Sequence, residues 1–316
     1  MDQRGAKASK HRVAVLVPCY NEEPTIADVV RSFRDALPAA QIYVYDNNST
    51  DLTVQRAREA GAIVRTEMRQ GKGNVVRRMF ADIDADTYVL VDGDNTYHAP
   101  SARAMVQKLI GERLDMVVGS RLTASDDSAF RRGHRFGNRL LTAFVALLFG
   151  RSFTDILSGY RVFSRRFVKS FPALAAGFET ETELTIHALE LRMPVAEIVT
   201  PYGVRPDGSQ SKLHTYSDGL RILMTIVKLF KEERPLAFFT ILCAVLSLSA
   251  LVLTYPLLLT YLETGLVPRI PTAILATGLV LLAFLSLASG LILDTVTHGR
   301  HELKRLAYLS NAPAEE

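Results

Sequence analysis

The chain has 316 residues, of which 48% are hydrophobic and 22% are charged, so its composition excludes a disordered or low-complexity protein. Its two cysteines, Cys19 and Cys243, are far apart in the sequence, which excludes a disulfide framework and a cysteine-rich zinc module. The net charge of +4 is too small to indicate nucleic-acid binding, and we expect no nucleic-acid partner.

The first part of the chain alternates between short apolar strands and amphipathic helices. The predicted strands are Val13–Val17, Ile42–Tyr45, Ile63–Thr66, Tyr88–Val91 and Met116–Val118. The predicted helices between them are Thr25–Leu37, Leu52–Ala60, Asn74–Ile83 and Ala99–Glu112. This alternation indicates an α/β fold with a mainly parallel sheet and helices on both faces. Ligands of such sheets bind beyond the carboxyl ends of the strands.

Two aspartates, Asp92 and Asp94, follow the predicted strand Tyr88–Val91 and are separated by Gly93. Because side chains alternate along an extended chain, both carboxylates can point in the same direction. Two nearby carboxylates repel each other unless a cation lies between them, and a divalent ion with oxygen ligands would also bind a diphosphate. We therefore expect Mg²⁺ or Mn²⁺ here, although an isolated Asp-x-Asp is more often a solvated turn.

A basic cluster follows the predicted strand Met116–Val118, and its members are Arg121, Arg131, Arg132, His134, Arg135 and Arg139. An apolar helix is predicted directly after it, at Leu140–Phe149. Arginine forks bind phosphate and an apolar helix can lie against a bilayer, so this combination favours an anionic lipid ligand. A solvated basic face beside a core helix is the alternative.

Two stretches near the C-terminus, Leu236–Leu262 and Ile270–Leu293, contain no charged residue and are long enough to span a bilayer. A buried hairpin of a soluble protein is the alternative, but it rarely runs so long without charge. Basic residues flank the pair on both outer sides, so the positive-inside rule places the large domain and both termini in the cytoplasm. We predict an integral membrane protein.

The predicted organisation has five parts. An N-terminal tail at 1–11 precedes a cytoplasmic catalytic domain at 12–215 and an amphipathic interfacial helix at 216–234. Two transmembrane helices follow within 235–295, and a cytoplasmic tail occupies 296–316.

Seven short motifs occur in order along the chain. They are Val15-Leu-Val-Pro-Cys-Tyr-Asn-Glu-Glu23, Tyr45-Asp-Asn-Asn-Ser-Thr-Asp51, Gln70-Gly-Lys-Gly73, Val91-Asp-Gly-Asp94, Val118-Gly-Ser-Arg121, Asp155-Ile-Leu-Ser-Gly-Tyr-Arg161 and Arg205-Pro-Asp-Gly-Ser-Gln-Ser-Lys212. Together they resemble family 2 glycosyltransferases of the GT-A fold. Within that family the chain is similar to the dolichol-phosphate mannose synthase and polyprenyl-phosphate glycosyltransferase branch. The resemblance covers about residues 12 to 232, and the two-helix anchor is usual in one bacterial subgroup.

The resemblance implies roles for individual residues. The implied nucleotide-binding residues are Pro18, Tyr20, Glu22, Asp46, Lys72 and Asp92. The implied metal ligands are Asp92, Asp94 and Thr96, where Thr96 stands in the place of a glutamine that is frequent in the branch. The implied catalytic residues are Asp92, Asp94 and Asp155. The implied ligands of the acceptor phosphate are Arg121, Arg131 and His134. Arg205, Ser211 and Lys212 lie in a glycine-containing stretch that we expect to be a loop able to close over the diphosphate, with a solvated linker as the alternative.

Three departures from the family pattern affect the prediction. Asn47 and Asn48 replace the Asp-Gly of the usual Asp-Asp-Gly-Ser string, so one acid is missing. The chain has no tryptophan, which excludes the Gln-x-x-Arg-Trp motif of processive polysaccharide synthases. It also has no Glu-Asp dipeptide, the usual general-base motif of many relatives. A phosphate-monoester acceptor explains this absence, because it is largely a dianion at pH 7 and needs no base.

We therefore expect inverting transfer of a sugar from a nucleotide-diphosphate sugar, with a UDP-sugar favoured, to a polyprenyl phosphate at the cytoplasmic membrane face. One alternative is transfer to a lipid hydroxyl such as that of diacylglycerol, with Asp155 or a glutamate of the 179–183 run as the base. The other is a catalytically silent membrane scaffold of the same fold. A homo-oligomer, dimer or tetramer, is also expected from the resemblance.

Overall fold

The computed structural model describes residues 11–122, 142–147, 153–173, 180–203 and 215–311. The chain forms two compact units. The first comprises residues up to Leu220 together with those from Lys304 onward, and the second is Arg221–Leu303. The first unit contains the sheet.

Within the described residues, seven strands form one sheet in the order β3-β2-β1-β4-β6-β5-β7. They are β1 Val13–Cys19, β2 Gln41–Asp46, β3 Ile63–Thr66, β4 Thr87–Leu90, β5 Met116–Leu122, β6 Arg161–Ser164 and β7 Val195–Pro201. All neighbouring strands are parallel except β6, which runs antiparallel to both β4 and β5. The predicted mainly parallel sheet is confirmed, while β6 and β7 were not predicted.

Six helices of this unit surround the sheet or connect its strands. They are α1 Ile26–Ala36, α2 Thr53–Glu59, α3 Lys72–Asp82, α4 Ser101–Gly111, α5 Arg165–Ser170 and α6 Thr180–Glu190. Residues 142–147, within the predicted apolar helix, are also helical. The apolar residues at helical spacing in the sequence form the buried face of α1. On this face the Phe33 ring packs edge-on against the Tyr160 ring, with 5.9 Å between the ring centroids. On α3, Phe80 contacts Phe163 of β6 in the same way.

The carboxyl ends of three parallel strands lie side by side at one edge of the sheet. Cys19 at the end of β1 pairs with Asp46 at the end of β2, and β1 also pairs with β4. The segment after β4 carries Asp92 and Asp94. The strand-end polar clusters therefore meet where the sequence predicts a ligand site.

The second unit contains two long apolar helices. They are α8 Pro235–Thr264 and α9 Ile270–Leu309, and the amphipathic α7 Thr215–Glu233 precedes them. Among the described residues, these two helices are long and apolar enough to cross a membrane, which suggests membrane association. Buried small residues recur on α9 every seven positions, at Ala276, Ala283 and Gly290. A Cβ on Gly290 would lie 2.9 Å from the Cβ of Phe239, so the two helices approach closely there.

Helix α9 continues sixteen residues past the predicted span, to Leu309, and its end belongs to the first unit. Lys304 Nζ donates to Glu190 Oε2 at 2.6 Å. The Tyr308 hydroxyl donates to Asp115 Oδ2 at 2.8 Å, and Arg166 donates to both oxygens of the same carboxylate. Most of the predicted C-terminal tail is therefore helical, and its last turns bind the α/β domain.

Candidate active site

Asp92 and Asp94 form the centre of the candidate site, in the turn that follows β4. The Asp94 side chain is buried, and its Oδ1 accepts a hydrogen bond from the hydroxyl of Thr96 at 2.6 Å. The carbonyl of Gly93 between them accepts from the Thr25 hydroxyl at 2.7 Å, which ties the turn to the start of α1. The turn therefore holds both carboxylates at the carboxyl edge of the sheet, and Thr96 orients one of them.

Lys72 connects Asp92 to a second carboxylate that comes from far along the chain. Its Nζ donates to Asp92 Oδ1 and to Glu181 Oε1, both at 2.5 Å. Burial opposes the charge of Lys72, but the two carboxylates outweigh it and raise the pKa of the ammonium above its ordinary value. Glu181 itself is 5% exposed. Lys72 is thus a fixed cation between two acids.

The loop before β6 approaches Asp92 through Gly159. A Cβ on this glycine would lie 2.5 Å from Asp92 Oδ2, which is closer than any side chain can come. The Gly159 amide donates to the hydroxyl of Tyr97 at 2.9 Å. Tyr97 is buried, and burial raises the pKa of its phenol. The absence of a side chain at this position leaves room for the carboxylate.

Arg121 and Asp155 form a bidentate ion pair. Arg121 Nε donates to Asp155 Oδ2 at 2.6 Å, and Nη2 donates to Oδ1 at 2.7 Å. The pKa of Arg121 is raised, because the hydrogen bonds to Asp155 and nearby negative charge outweigh its burial. Glu197 accepts from the amides of Thr154 and Asp155, at 3.0 and 3.3 Å, and so fixes the backbone of this segment.

Arg161 is the largest fully buried side chain of the described residues, and it binds the backbone of the segment that follows Asp155. Its guanidinium donates to the carbonyls of Ile156 at 2.6 Å and Ser158 at 2.9 Å, and to the hydroxyl of Thr185 at 2.8 Å. Burial lowers the pKa of Arg161 to about 10, so it remains charged at neutral pH. Its donors compensate for burial by satisfying backbone acceptors that would otherwise be unpaired.

The nucleotide-binding residues implied by the resemblance lie at the ends of β1 and β2. Pro18 is buried within β1, while Tyr20 and Glu22 are half-buried just beyond it. The buried Asp46 carboxylate accepts from the Ser49 amide at 3.2 Å. The Cys19 thiol is buried beside these acids, and burial together with their charge raises its pKa well above the ordinary value. These positions are consistent with one pocket, but the roles stay predictions.

The structure brings together Asp92, Asp94, Thr96 and Lys72, and it joins Arg121 to Asp155. Five residues of the predicted site lie outside the described residues: Arg131, His134, Arg205, Ser211 and Lys212. Sequence reasoning gave no role to Tyr97, placed Arg161 in a motif without a role of its own, and included Glu181 only as one of the glutamates of the 179–183 run that could serve as a base. The alternating glutamates near Glu181 were a signal, but they gave no indication of which one is buried.

The carboxylates after β4 fit a divalent cation. Asp92 and Asp94 supply oxygen ligands from one short turn, and the buried Asp94 is held in place by Thr96. Carboxylate oxygens are the ligands that Mg²⁺ and Mn²⁺ prefer. Thr96 uses its hydroxyl proton for Asp94, so its oxygen keeps lone pairs that could also accept a cation.

Comparison with known sequences gives a family for this chain. The sequence profile described as Glycosyl transferase family 2 matches residues 14–171. The chain is 37% identical over 228 residues to glycosyltransferase AglJ of Haloferax volcanii, covering 72% of this chain and 75% of AglJ. It is 28% identical over 222 residues to a dolichyl-phosphate hexose transferase of Haloferax volcanii, covering 70% of this chain and 95% of the relative.

Solved structures of glucosyl-3-phosphoglycerate synthase from Mycobacterium tuberculosis share the fold. The complex with phosphoglyceric acid has a TM-score of 0.58 and 25% identity, covering 69% of this chain and 80% of that chain. A complex of the same enzyme with Mn²⁺, UDP-glucose and phosphoglyceric acid has a TM-score of 0.56 and 24% identity, covering 69% and 79%. The predicted fold of the α/β domain is thereby confirmed.

Proposed function

The chain belongs to glycosyltransferase family 2, and from this premise we propose that it transfers a sugar from a nucleotide-diphosphate sugar to a polyprenyl phosphate. A UDP-sugar is the favoured donor, because the structurally similar glucosyl-3-phosphoglycerate synthase binds UDP-glucose with Mn²⁺. The single observation that carries the proposal is that Lys72 is held between Glu181 and Asp92, and Asp92 lies in the turn that also carries Asp94 two residues later. A cation among carboxylates at a strand end suits a diphosphate and its divalent metal.

Three features support a lipid phosphate as the acceptor. A relative that the chain matches over 95% of its length is named a dolichyl-phosphate hexose transferase. The two apolar helices α8 and α9 suit a substrate that resides in a membrane. Arg121 supplies a guanidinium near the site, of the kind that binds phosphate oxygens.

The acceptor needs no general base in this mechanism. Its phosphate is largely a dianion at neutral pH, so one of its oxygens can attack the anomeric carbon directly. The new bond forms as the bond between that carbon and the diphosphate breaks, with inversion, and the electron pair leaves with the nucleoside diphosphate. Lys72 donates to the departing oxygens. Asp92 and Asp94, with Thr96, would hold the divalent cation, which supplies positive charge to the leaving group when bound.

Transfer to a lipid hydroxyl is disfavoured by the pairing of two of its candidate bases, Asp155 and Glu181. That reaction needs a base, for which the candidates are Asp155 or a glutamate of the 179–183 run. Both oxygens of Asp155 accept from Arg121, and Glu181 accepts from Lys72. Carboxylate oxygens that already accept from a cationic side chain are less available to take a proton from an acceptor hydroxyl.

The membrane topology proposed is two spans with the catalytic domain and both termini in the cytoplasm. The basic residues on the outer sides of the apolar pair support this orientation. The end of α9 supports one part of this topology, a shared side for the C-terminal tail and the catalytic domain, because Lys304 and Tyr308 contact Glu190 and Asp115 of the α/β domain. Residues that touch one another must lie on the same side of the membrane.

A transfer assay tests the proposed function. The purified full chain is incubated with undecaprenyl phosphate, Mn²⁺ and radiolabelled UDP- and GDP-sugars, and lipid-extractable label is counted. We expect label from one donor, its loss in Asp94→Asn, and its retention in Asp28→Asn, which alters an exposed aspartate on α1. Label in diacylglycerol but not in the lipid phosphate would refute the acceptor. No transfer to either acceptor, despite nucleotide binding, would also count against the proposal.

A further inference from the structure

Asn47 joins two loops of the active site through its carboxamide. Its Nδ2 donates to the carbonyls of Glu67 and Arg69, both at 2.8 Å. Its Oδ1 accepts from the Gly71 amide at 2.7 Å. All three partners belong to the segment 67–71, which connects β3 to α3, and the Asn47 side chain is buried. We call these three hydrogen bonds the Asn47 clasp.

The clasp requires an amide. Two of its partners are carbonyls, which need donors, and the third is an N–H, which needs an acceptor. A carboxylate at the same place has no donor when ionised, and it would face two carbonyl oxygens. The clasped Gly71 has a φ of 129°, a backbone conformation that only glycine adopts readily. Asn47 therefore fixes a segment that ends in an unusual turn.

The clasped segment leads directly into Lys72, the first residue of α3. The long lysine side chain is flexible, so the place of its ammonium depends on where its backbone is held. That ammonium lies between Asp92 and Glu181. We propose that Asn47 is a positioning residue, which acts through segment 67–71 to hold Lys72 for the diphosphate of the donor. This inference rests on the proposed nucleotide donor but not on the acceptor.

Asn48, the next residue, supports the same segment more weakly. Its Nδ2 donates to the Met68 carbonyl at 2.9 Å and to Gln70 Oε1 at 3.2 Å. Asn48 is only half-buried, and neither of these bonds involves Gly71. The buried Asn47 is therefore the residue that reaches the backbone next to Lys72.

Amide hydrogen exchange of the full chain in detergent tests the clasp without any ligand. We expect Asn47→Asp and Asn47→Ala to speed exchange in peptides covering 67–72 by at least about tenfold. Alanine removes all three hydrogen bonds of the clasp, and aspartate removes the two that Asn47 donates to the carbonyls of Glu67 and Arg69. Strands β1 and β4 serve as the internal reference and should exchange as in the wild type. Unchanged exchange in 67–72 would overturn the proposal.

A double-mutant cycle then tests whether the clasp acts through Lys72. The probe is UDP with Mn²⁺, titrated calorimetrically into the wild type, Asn47→Ala, Lys72→Gln and the double variant. We expect Asn47→Ala to weaken UDP binding about tenfold when Lys72 is present, which corresponds to the loss of roughly one charge-assisted contact. In the Lys72→Gln background the same substitution should have little effect on binding. Equal losses in both backgrounds would refute positioning through Lys72.

A charge control completes the design. Gln70→Glu adds the same charge as Asn47→Asp within the segment, keeps the oxygen that accepts from Asn48, and leaves the Asn47 clasp intact. We expect it to bind UDP within about threefold of the wild type, while Asn47→Asp binds at least as weakly as Asn47→Ala. A wild type that binds neither UDP nor GDP would defeat the proposed donor, and the exchange experiment would still decide on the clasp. In the transfer assay, Asn47→Ala should raise the KM for the donor, while the KM for the acceptor should stay constant.

Discussion

Arg121 holds Asp155 with two parallel hydrogen bonds of 2.6 and 2.7 Å, so two residues implied to serve different substrates form one ion pair. The resemblance assigned Arg121 to the acceptor phosphate and Asp155 to catalysis. Because the side chains of both are largely buried, each charge is stabilised by the other. A phosphate that reaches Arg121 would therefore also change the surroundings of Asp155.

We expect Arg121→Leu to lower the free energy of unfolding by about 3 kcal/mol, because it removes both guanidinium hydrogen bonds from the buried Asp155 carboxylate. The double variant Arg121→Leu/Asp155→Leu should regain most of that loss. Urea unfolding followed by circular dichroism in detergent measures both. Arg31→Leu is the matched control, since its pair with Asp28 is exposed and should contribute under about 1 kcal/mol. A double variant as unstable as the single one would contradict the prediction.

Lys72 and Glu181 are expected to show the same kind of coupling inside the donor site. Lys72→Met leaves the buried Glu181 carboxylate unpaired and should destabilise the protein by about 3 kcal/mol. Adding Glu181→Gln removes that charge and should restore much of the stability without restoring transfer. Thermal unfolding and the transfer assay separate the two effects. Lys108→Met, which breaks an exposed pair on α4, should change stability by less than about 0.5 kcal/mol.

Gly159→Ala is expected to reduce transfer at least about tenfold, because its Cβ would displace the Asp92 carboxylate from its present place. The matched substitution is Gly111→Ala at the end of α4, where an added Cβ meets nothing within 4 Å. That variant should keep full activity and be as stable as the wild type or slightly more stable. Specific activity and melting temperature of both variants are the measurement. Full activity of Gly159→Ala would show that Asp92 can move without consequence.

Much of the fold could be predicted because its signals are local. The apolar runs and helical spacings of the first 118 residues predicted elements that lie within two residues of those found at nearly every boundary. β6 was missed because it begins with Arg161, which is read from sequence as a surface residue. Its burial depends on acceptors such as the Ile156 carbonyl and Thr185, and no local pattern shows them.

The site residues also divide into those that local sequence predicts and those that only the tertiary fold brings together. Asp92 and Asp94 could be found because they directly follow an apolar strand. The partner of Lys72, Glu181, is 109 residues away, and only the tertiary fold brings them together. Asn47 was recognised as a departure from the family string, but its function depends on carbonyls of another loop.

His187 on α6 links the stability of the domain to pH. Its Nε2 lies 3.0 Å from the Ser170 hydroxyl oxygen, and that hydroxyl donates to the Phe167 carbonyl. The ring also packs edge-on against Phe167 at 5.3 Å. Burial, with a smaller contribution from Lys304, lowers the pKa of His187 from its ordinary 6.5 to about 3. The folded protein therefore holds this histidine neutral across the physiological range.

The direction of the pH effect follows from this lowered pKa. Above pH 6.5 the histidine is neutral in both states, and its contribution to stability is fully present. As the pH falls below 6.5 the unfolded chain binds a proton that the folded chain does not, so stability falls until the pH approaches 3. Between pH 7 and pH 5 this group should remove about 2 kcal/mol.

His187→Gln keeps a donor for Ser170 but cannot titrate. Between pH 7 and pH 5 the variant should therefore lose about 2 kcal/mol less stability than the wild type. Urea unfolding at pH 7 and pH 5 measures the difference, and subtracting the two proteins cancels the carboxylates that titrate in both. His98→Gln is the control, because His98 is exposed and its removal should leave the pH dependence of the wild type. If His187→Gln were to lose as much stability at pH 5 as the wild type, the ring would be protonated without cost in the folded state. That result would contradict the buried position of the His187 ring between Phe167 and Ser170.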